Sequence, residues 1–301
     1  MRINRFYSRL GFVALAVFLI SFSLIFVSPI RSEATRNAAV SHVDLHDIEV
    51  AIYSGDGILG SSGLALNNLF LWMNATTRYV DGSDIRNGTL DTCDIIAFPG
   101  GSSVAYRDDL EPEGLDILRE FVRSGGSYFG ICGGSLFATN AILGLFDGTY
   151  SNPINGTGIS LTHMYVNHIS SELNLSSEPR SYEVMYWGSA YFYGDGMSTA
   201  IPVANYSYNN RPGMIAFRYG EGTAFLSSPH PEYEEGSSRD GTDFCDYLND
   251  PDSEWSLLLK VSCWLVDASI PVSTDFTLIA IGGVGLLGVV IALYLVKIRK
   301  H

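Results

Sequence analysis

Two short stretches of this chain carry residues able to do chemistry together. Gly130-Ile131-Cys132-Gly133-Gly134 places a cysteine among glycines, and His230-Pro231-Glu232 follows far downstream. A thiol becomes a useful nucleophile as the thiolate, which needs a base to take its proton and a carboxylate to orient that base. Cys132, His230 and Glu232 supply those three roles. The tetrahedral intermediate of acyl transfer also needs donors for its oxyanion. The backbone N–H groups of Gly133 and of one among Gly100, Gly101 and Ser102 are the candidates, because glycine lets the main chain come close to a substrate. A lone buried cysteine is usually structural. One flanked by glycine between an apolar run and a helix start is what a strand-to-helix nucleophile elbow looks like.

Such a site needs elements that deliver its residues to one edge. Ile48–Tyr53 reads as a first strand, followed by the loop Ser54-Gly55-Asp56-Gly57 and a helix over residues 61–78. Tyr79 to Ile85 reads as a second strand and Cys93–Phe98 as a third, which ends in Pro99-Gly100-Gly101. An amphipathic helix spans Leu110 to Arg123 and stops at Gly125-Gly126. Ser127–Ile131 is the strand that delivers Cys132, with a helix expected over residues 135–143. Strands and helices alternating in this way predict an α/β fold, a doubly wound and mostly parallel sheet, whose ligands bind beyond the carboxyl ends of the strands. The second half reads as strands at residues 183–187, 190–193, 214–219 and 222–227, then a closing helix over 253–266. Residues 144–167 carry no legible motif.

Two apolar runs flank this segment. Residues 10–30 follow three arginines, and residues 276–296 hold no charge and precede Lys297, Arg299 and Lys300. Each is long enough to span a bilayer, at roughly 20 residues per helix. The expected plan is residues 1–30 as a signal anchor or signal peptide, 31–46 as a linker and 47–268 as the domain. Residues 276–296 would then be a transmembrane helix and 297–301 a basic cytoplasmic tail. The first run is longer than a usual signal-peptide core, yet Ser32-Glu33-Ala34 offers a cleavage site, so both readings stand. The basic residues after the second run place the tail in the cytoplasm and the domain outside the cell membrane.

Residues 31–275 hold all 32 acidic residues against 12 of the 18 basic ones, a formal charge of −20. That field repels phosphate backbones and excludes nucleic acid as a partner. The expected partners are the lipid bilayer and a small-molecule or peptide amide substrate. No cofactor and no metal are expected. Five Asn-x-Ser/Thr acceptors, at Asn74, Asn87, Asn155, Asn174 and Asn205, accord with exposure to a glycosylating compartment. Cys245 and Cys263 could close a short loop by a disulfide outside the cell, worth roughly 3 kcal/mol. Cys93 opens one strand while Cys132 ends the next, about 17–20 Å away across a strand's length, so Cys93 reads as a buried thiol.

The segment Cys93 to Ala138, CDIIAFPGGSSVAYRDDLEPEGLDILREFVRSGGSYFGICGGSLFA, closely resembles the N-terminal domain of eukaryotic biotin-protein ligases. That domain belongs to the class I glutamine amidotransferase-like superfamily. Met214 to Glu232, ending in Leu226-Ser227-Ser228-Pro229-His230-Pro231-Glu232, is similar to the family's second motif. The resemblance implies a flavodoxin-like sheet with Cys132 as nucleophile, His230 as base and Glu232 as orienter. No Gly-Arg-Gly-Arg or Lys-Trp-Pro-Asn type motif of the biotin-transferring domain is found, so biotin ligation is not expected. The reading that follows is a membrane-anchored, outward-facing cysteine amidohydrolase of an amide or γ-glutamyl-type bond. The alternatives are a catalytically silent binding module of the same fold, and a glutamine amidotransferase with a separate acceptor protein.

Overall fold

The computed structural model describes residues 42–269, except Glu235 and Pro251. Its centre is a nine-stranded sheet. The first strands are short and apolar, with side chains alternating between faces. In β1 (Glu49–Tyr53), Val50 and Ile52 join one core while Ala51 and Tyr53 join the other. Helix α1 (Gly60–Trp72) covers the first face and leads to β2 (Thr76–Val80). A short helix α2 (Gly82–Arg86) follows, started by a capping box between Asp81 and Asp84. Strand β3 (Ile95–Phe98), helix α3 (Ser103–Arg123), strand β4 (Ser127–Ile131) and the brief helix α4 (Gly133–Phe137) complete the first half. Helix α3 is broken at Glu111, whose φ of 58° precedes Pro112.

The second half is almost all strand: β5 (Thr149–Tyr150), β6 (Ile159–Val166), β7 (Ser181–Trp187), β8 (Phe192–Tyr193), β9 (Ile201–Tyr206), β10 (Pro212–Tyr219) and β11 (Gly222–Ser227). Helix α5 (Trp255–Ala268) closes the described chain and shares a face of the sheet with α1. The opposite face is covered by α2, α3 and α4 through Ile85, Tyr106, Leu118 and Phe137. The result is a three-layer α/β/α sandwich.

Strand order is β2-β1-β3-β4-β11-β10-β9-β6-β7, with β5 and β8 paired separately. The ladders from β2 to β11 are parallel, and those from β11 to β7 are antiparallel. The expected mostly parallel sheet is therefore corrected to a mixed one. Its second half is built from strands joined without crossover helices, and strands joined that way pair antiparallel. The expected helix over 61–78 also ends earlier, at Trp72. Asn74 turns left-handed with φ 67°, and the β-branched Thr76 and Thr77 start β2. The segment expected to continue as strand to Ile85 is α2. The helix expected over 135–143 is one turn only, and β6 and β9 were not foreseen.

The expected bridge between Cys245 and Cys263 is not formed. Cys245 packs with Ala65, Met185 and Tyr233, whereas Cys263 lies in the main core with its Sγ 3.9 Å from the Asp44 carbonyl. Cys93 is buried, as expected. Of the five glycosylation acceptors, Asn74, Asn87, Asn155 and Asn174 are exposed. Asn205 sits half-buried in β9. The two apolar runs, 10–30 and 276–296, lie outside the described residues. Among those described, no helix is long and apolar enough to cross a membrane.

Candidate functional site

The parallel strands β1, β3, β4 and β11 end side by side. The loops that leave them, Gly55–Leu59, Pro99–Ser102, Cys132 and Ser228–Glu232, gather at that edge. Ser227 at the end of β11 pairs with Ile131 at the end of β4, and the Cys132 N–H donates to the Ser227 carbonyl at 2.7 Å. Nucleophile and base thus leave neighbouring rungs of one ladder, although about a third of the chain separates them.

Cys132 has φ 48° and ψ −114°, a conformation costly for any residue with a Cβ. The glycines beside it answer a different demand. A Cβ on Gly133 would stand 2.0 Å from the Gly101 carbonyl oxygen, and one on Gly134 would stand 2.3 Å from that of Phe98. The elbow can sit on the Pro99–Gly101 loop only because both side chains are missing. That loop is itself laced to the loop after β1, with Leu59 N–H donating to the Gly100 carbonyl at 2.7 Å and Ser102 N–H to that of Gly57 at 2.9 Å.

His230 is buried, and its backbone N–H is fixed to the Met185 carbonyl on β7 at 2.9 Å. Its Nδ1 donates to Glu232 Oε1 at 2.9 Å. That leaves Nε2, buried and with no hydrogen-bond partner among the described residues, as the nitrogen free to serve Cys132, whose thiol feels the charge of the imidazole. Glu232 is fully buried, and its carbonyl accepts from Trp255 Nε1 at 3.1 Å, which ties the motif to the start of α5. Burial alone would push the Cys132 thiol up. The charge of His230, with the Gly133 N–H, outweighs it and holds the thiol below its ordinary value. Burial likewise opposes the charged imidazole, but Glu232 and Cys132 raise His230 well above its usual range. The two directions are coupled, since each group favours the charged form of the other.

Ser62, on α1, is a member that sequence reasoning did not find. It is fully buried, its Oγ donates to Glu232 Oε1 at 2.7 Å, and it accepts from the Gly100 N–H at 2.8 Å. Of the three glycines expected as oxyanion donors, Gly100 is therefore already engaged. Among the described residues, neither the Gly101 nor the Gly133 N–H donates to a protein oxygen. The open space beside Cys132 is a cleft of about 430 Å³ lined by Gly57, Ile58, Leu59, Gly101, Trp187 and His230. Tyr186 is buried, Tyr191 is half-buried and Tyr193 is exposed. No group of three or more His, Cys, Asp or Glu among the described residues is arranged to hold a metal ion.

Sandwich, mixed sheet and thiol-bearing elbow define the class of this domain as α/β. A putative ThuA-like protein from Bacteroides uniformis is similar at 11% identity and TM-score 0.51, covering 76% of this chain and 96% of its own. A glutamine amidotransferase from Methylobacillus flagellatus is 14% identical at TM-score 0.49, covering 77% and 98%. At 11% identity the likeness to the Bacteroides uniformis protein is one of fold alone. Residues 48–152 match the family model for the biotin-protein ligase N-terminal domain, the family that the Cys93–Ala138 segment resembles. Met214–Glu232 lies beyond the matched residues. An uncharacterized protein from Chlamydia muridarum is 28% identical over 162 residues, 48% of this chain. The match spans 62% of that relative's own length.

Proposed function

We propose that the domain is a cysteine amidohydrolase that opens an amide bond through a thioester on Cys132. The observation that carries this reading is the buried chain Ser62–Glu232–His230, which ends at a strained cysteine beside an open cleft. The Cys132 thiolate adds its electron pair to the substrate carbonyl, forming the C–S bond and placing the carbonyl electrons on oxygen. Gly101 and Gly133 N–H groups stabilise that oxyanion. As the carbonyl re-forms, the C–N bond breaks and the leaving amine takes the proton from His230. Water, deprotonated by His230, then hydrolyses the thioester and restores the thiol. Glu232 keeps the imidazole oriented and stabilises its charged form throughout.

Membrane anchoring and an outward-facing domain belong to the same proposal. They are supported by the two apolar runs, the basic tail and the four exposed Asn-x-Ser/Thr acceptors. An external domain would stand apart from ATP-driven acceptors, which favours release of the acyl group to water over its transfer. Iodoacetamide titration tests the site. Cys132 is expected to alkylate at neutral pH with a midpoint below the usual thiol range. In His230→Gln the charge that opposes burial is gone, so the midpoint should rise above that range and the neutral-pH rate should fall at least about tenfold. A Cys132 that stays inert in the folded wild-type protein overturns the enzyme reading and leaves the silent binding module.

A further inference from the structure

Trp187 is the last residue of β7 and one of twelve large apolar side chains left exposed among the described residues, at 38%. It does not stand alone on the surface. Its ring lies 5.9 Å from Phe244, which lies 5.3 Å from Tyr233, and the Tyr233 ring is 5.5 Å from that of His230. Trp187 itself is tilted 6.4 Å from the His230 ring and lines the cleft that holds Cys132. Ile58 and Leu59 line the same cleft and are held by the bridge of Ile58 to Gly101 and by the Leu59–Gly100 hydrogen bond. Among the described residues that line this cleft, every side chain apart from the Cys132–His230 pair is uncharged. Its volume suits a small molecule. An indole backed by a second aromatic ring offers a rigid flat face to a planar or apolar group.

We infer that Trp187 is the specificity-determining residue of this site and selects an uncharged acyl group with a flat or apolar body, stacked on its indole. The inference rests on the amidohydrolase reading and narrows it. A γ-glutamyl donor brings an α-ammonium and an α-carboxylate, and the cleft offers neither of them an opposite fixed charge outside the reacting pair. Burying such unpaired charges is costly, whereas an aryl or alkyl acyl group removes apolar surface of Trp187, Ile58 and Leu59 from water.

The test is acylation of Cys132 in the full chain by 4-nitrophenyl esters of phenylacetic acid, acetic acid and the glutamate γ-carboxylate. Loss of 4-nitrophenol and the mass gained on Cys132 are followed together. In each reaction the thiolate forms the C–S bond and the C–O bond to nitrophenolate breaks. The phenylacetyl ester should react at least about tenfold faster than the acetyl ester, and the γ-glutamyl ester slowest, with allowance for intrinsic reactivity measured on free cysteine. Trp187→Ala should bring the phenylacetyl-to-acetyl ratio down towards that of free cysteine. Trp187→Phe, which keeps a flat ring, should retain most of it. An unchanged ratio in Trp187→Ala, or a γ-glutamyl ester that reacts fastest, overturns the inference while leaving the amidohydrolase reading standing. If no ester acylates Cys132, both fall.

Discussion

At the scale of single residues, the site is held by a serine. Ser62 meets two demands with one hydroxyl: it donates to Glu232 Oε1 and accepts the Gly100 N–H. Glu232 Oε2 is buried with no hydrogen-bond partner, so the whole tether of this carboxylate runs through Oε1. Ser62→Ala would leave the Gly100 N–H without its acceptor and remove one of the two groups bonded to Oε1. Leaving a buried donor unmet costs about 1–3 kcal/mol, so urea unfolding should show a loss of that size. The same variant should also slow the reaction of Cys132 with iodoacetamide, because a looser Glu232 holds His230⁺ less well. Stability unchanged from wild type would mean that the pair of hydrogen bonds carries no weight. Nothing in Ser61-Ser62-Gly63 announced this role. A serine in a helix has no motif, and the contact spans 170 residues.

Among the elements, the elbow carries backbone strain. Cys132 bears a positive φ at the junction of β4 and α4, and the cost of such a conformation is about 1–3 kcal/mol for a residue with a side chain. Cys132→Gly should therefore unfold at a higher temperature than Cys132→Ala, since alanine keeps the Cβ and its strain. Equal melting temperatures for the two variants would argue that the backbone there is relaxed. This junction was legible in the sequence because its glycines sit directly beside the cysteine, although the carbonyls that demand them, those of Gly101 and Phe98, lie back at the end of β3. Strands β1, β3 and β4 were legible because they are short, apolar and next to glycine loops, whereas the polar and mostly exposed β2 was not. Strand β9 was not. Pro202 argues against a strand inside a sheet, yet the β6 ladder begins only at Ala204 and the β10 ladder is irregular around Met214. Strand β6 hid for another reason: most of its residues are only half-buried, so no apolar alternation marks it. The split of the charged triplet was half legible, since spacing named its three members and only the ladder register could bring them together.

On the scale of the whole molecule, acidity is the dominant trait, with 32 Asp and Glu against 18 Lys and Arg. Most of that charge is solvated, but Asp250 is buried, and burial with the nearby Asp252, Glu183 and Glu234 pushes its carboxyl up to about 6. An acid whose pKa is higher folded than unfolded opposes folding wherever it must ionise. For Asp250 that penalty is complete above its folded value, shrinks as pH falls, and is gone below the unfolded value of about 3.9. Asp250→Asn removes the charge and keeps Oδ1 for the Asp252 N–H. The variant should melt above wild type at about pH 7.5, and the gap should close by about pH 4. A gap that persists in acid would trace the gain to packing instead of charge.

The rung that joins Ile131 to Ser227 has a consequence for how the protein can be watched. The influence of His230 on the Cys132 thiol needs β4 and β11 to be paired, and that pairing closes a loop of nearly a hundred residues. Contacts of such long range carry a large closure entropy and form late in folding. The thiolate is therefore a clock for the last stage of assembly. During refolding, fast alkylation at Cys132 should switch on only with the native state, after the helices have formed.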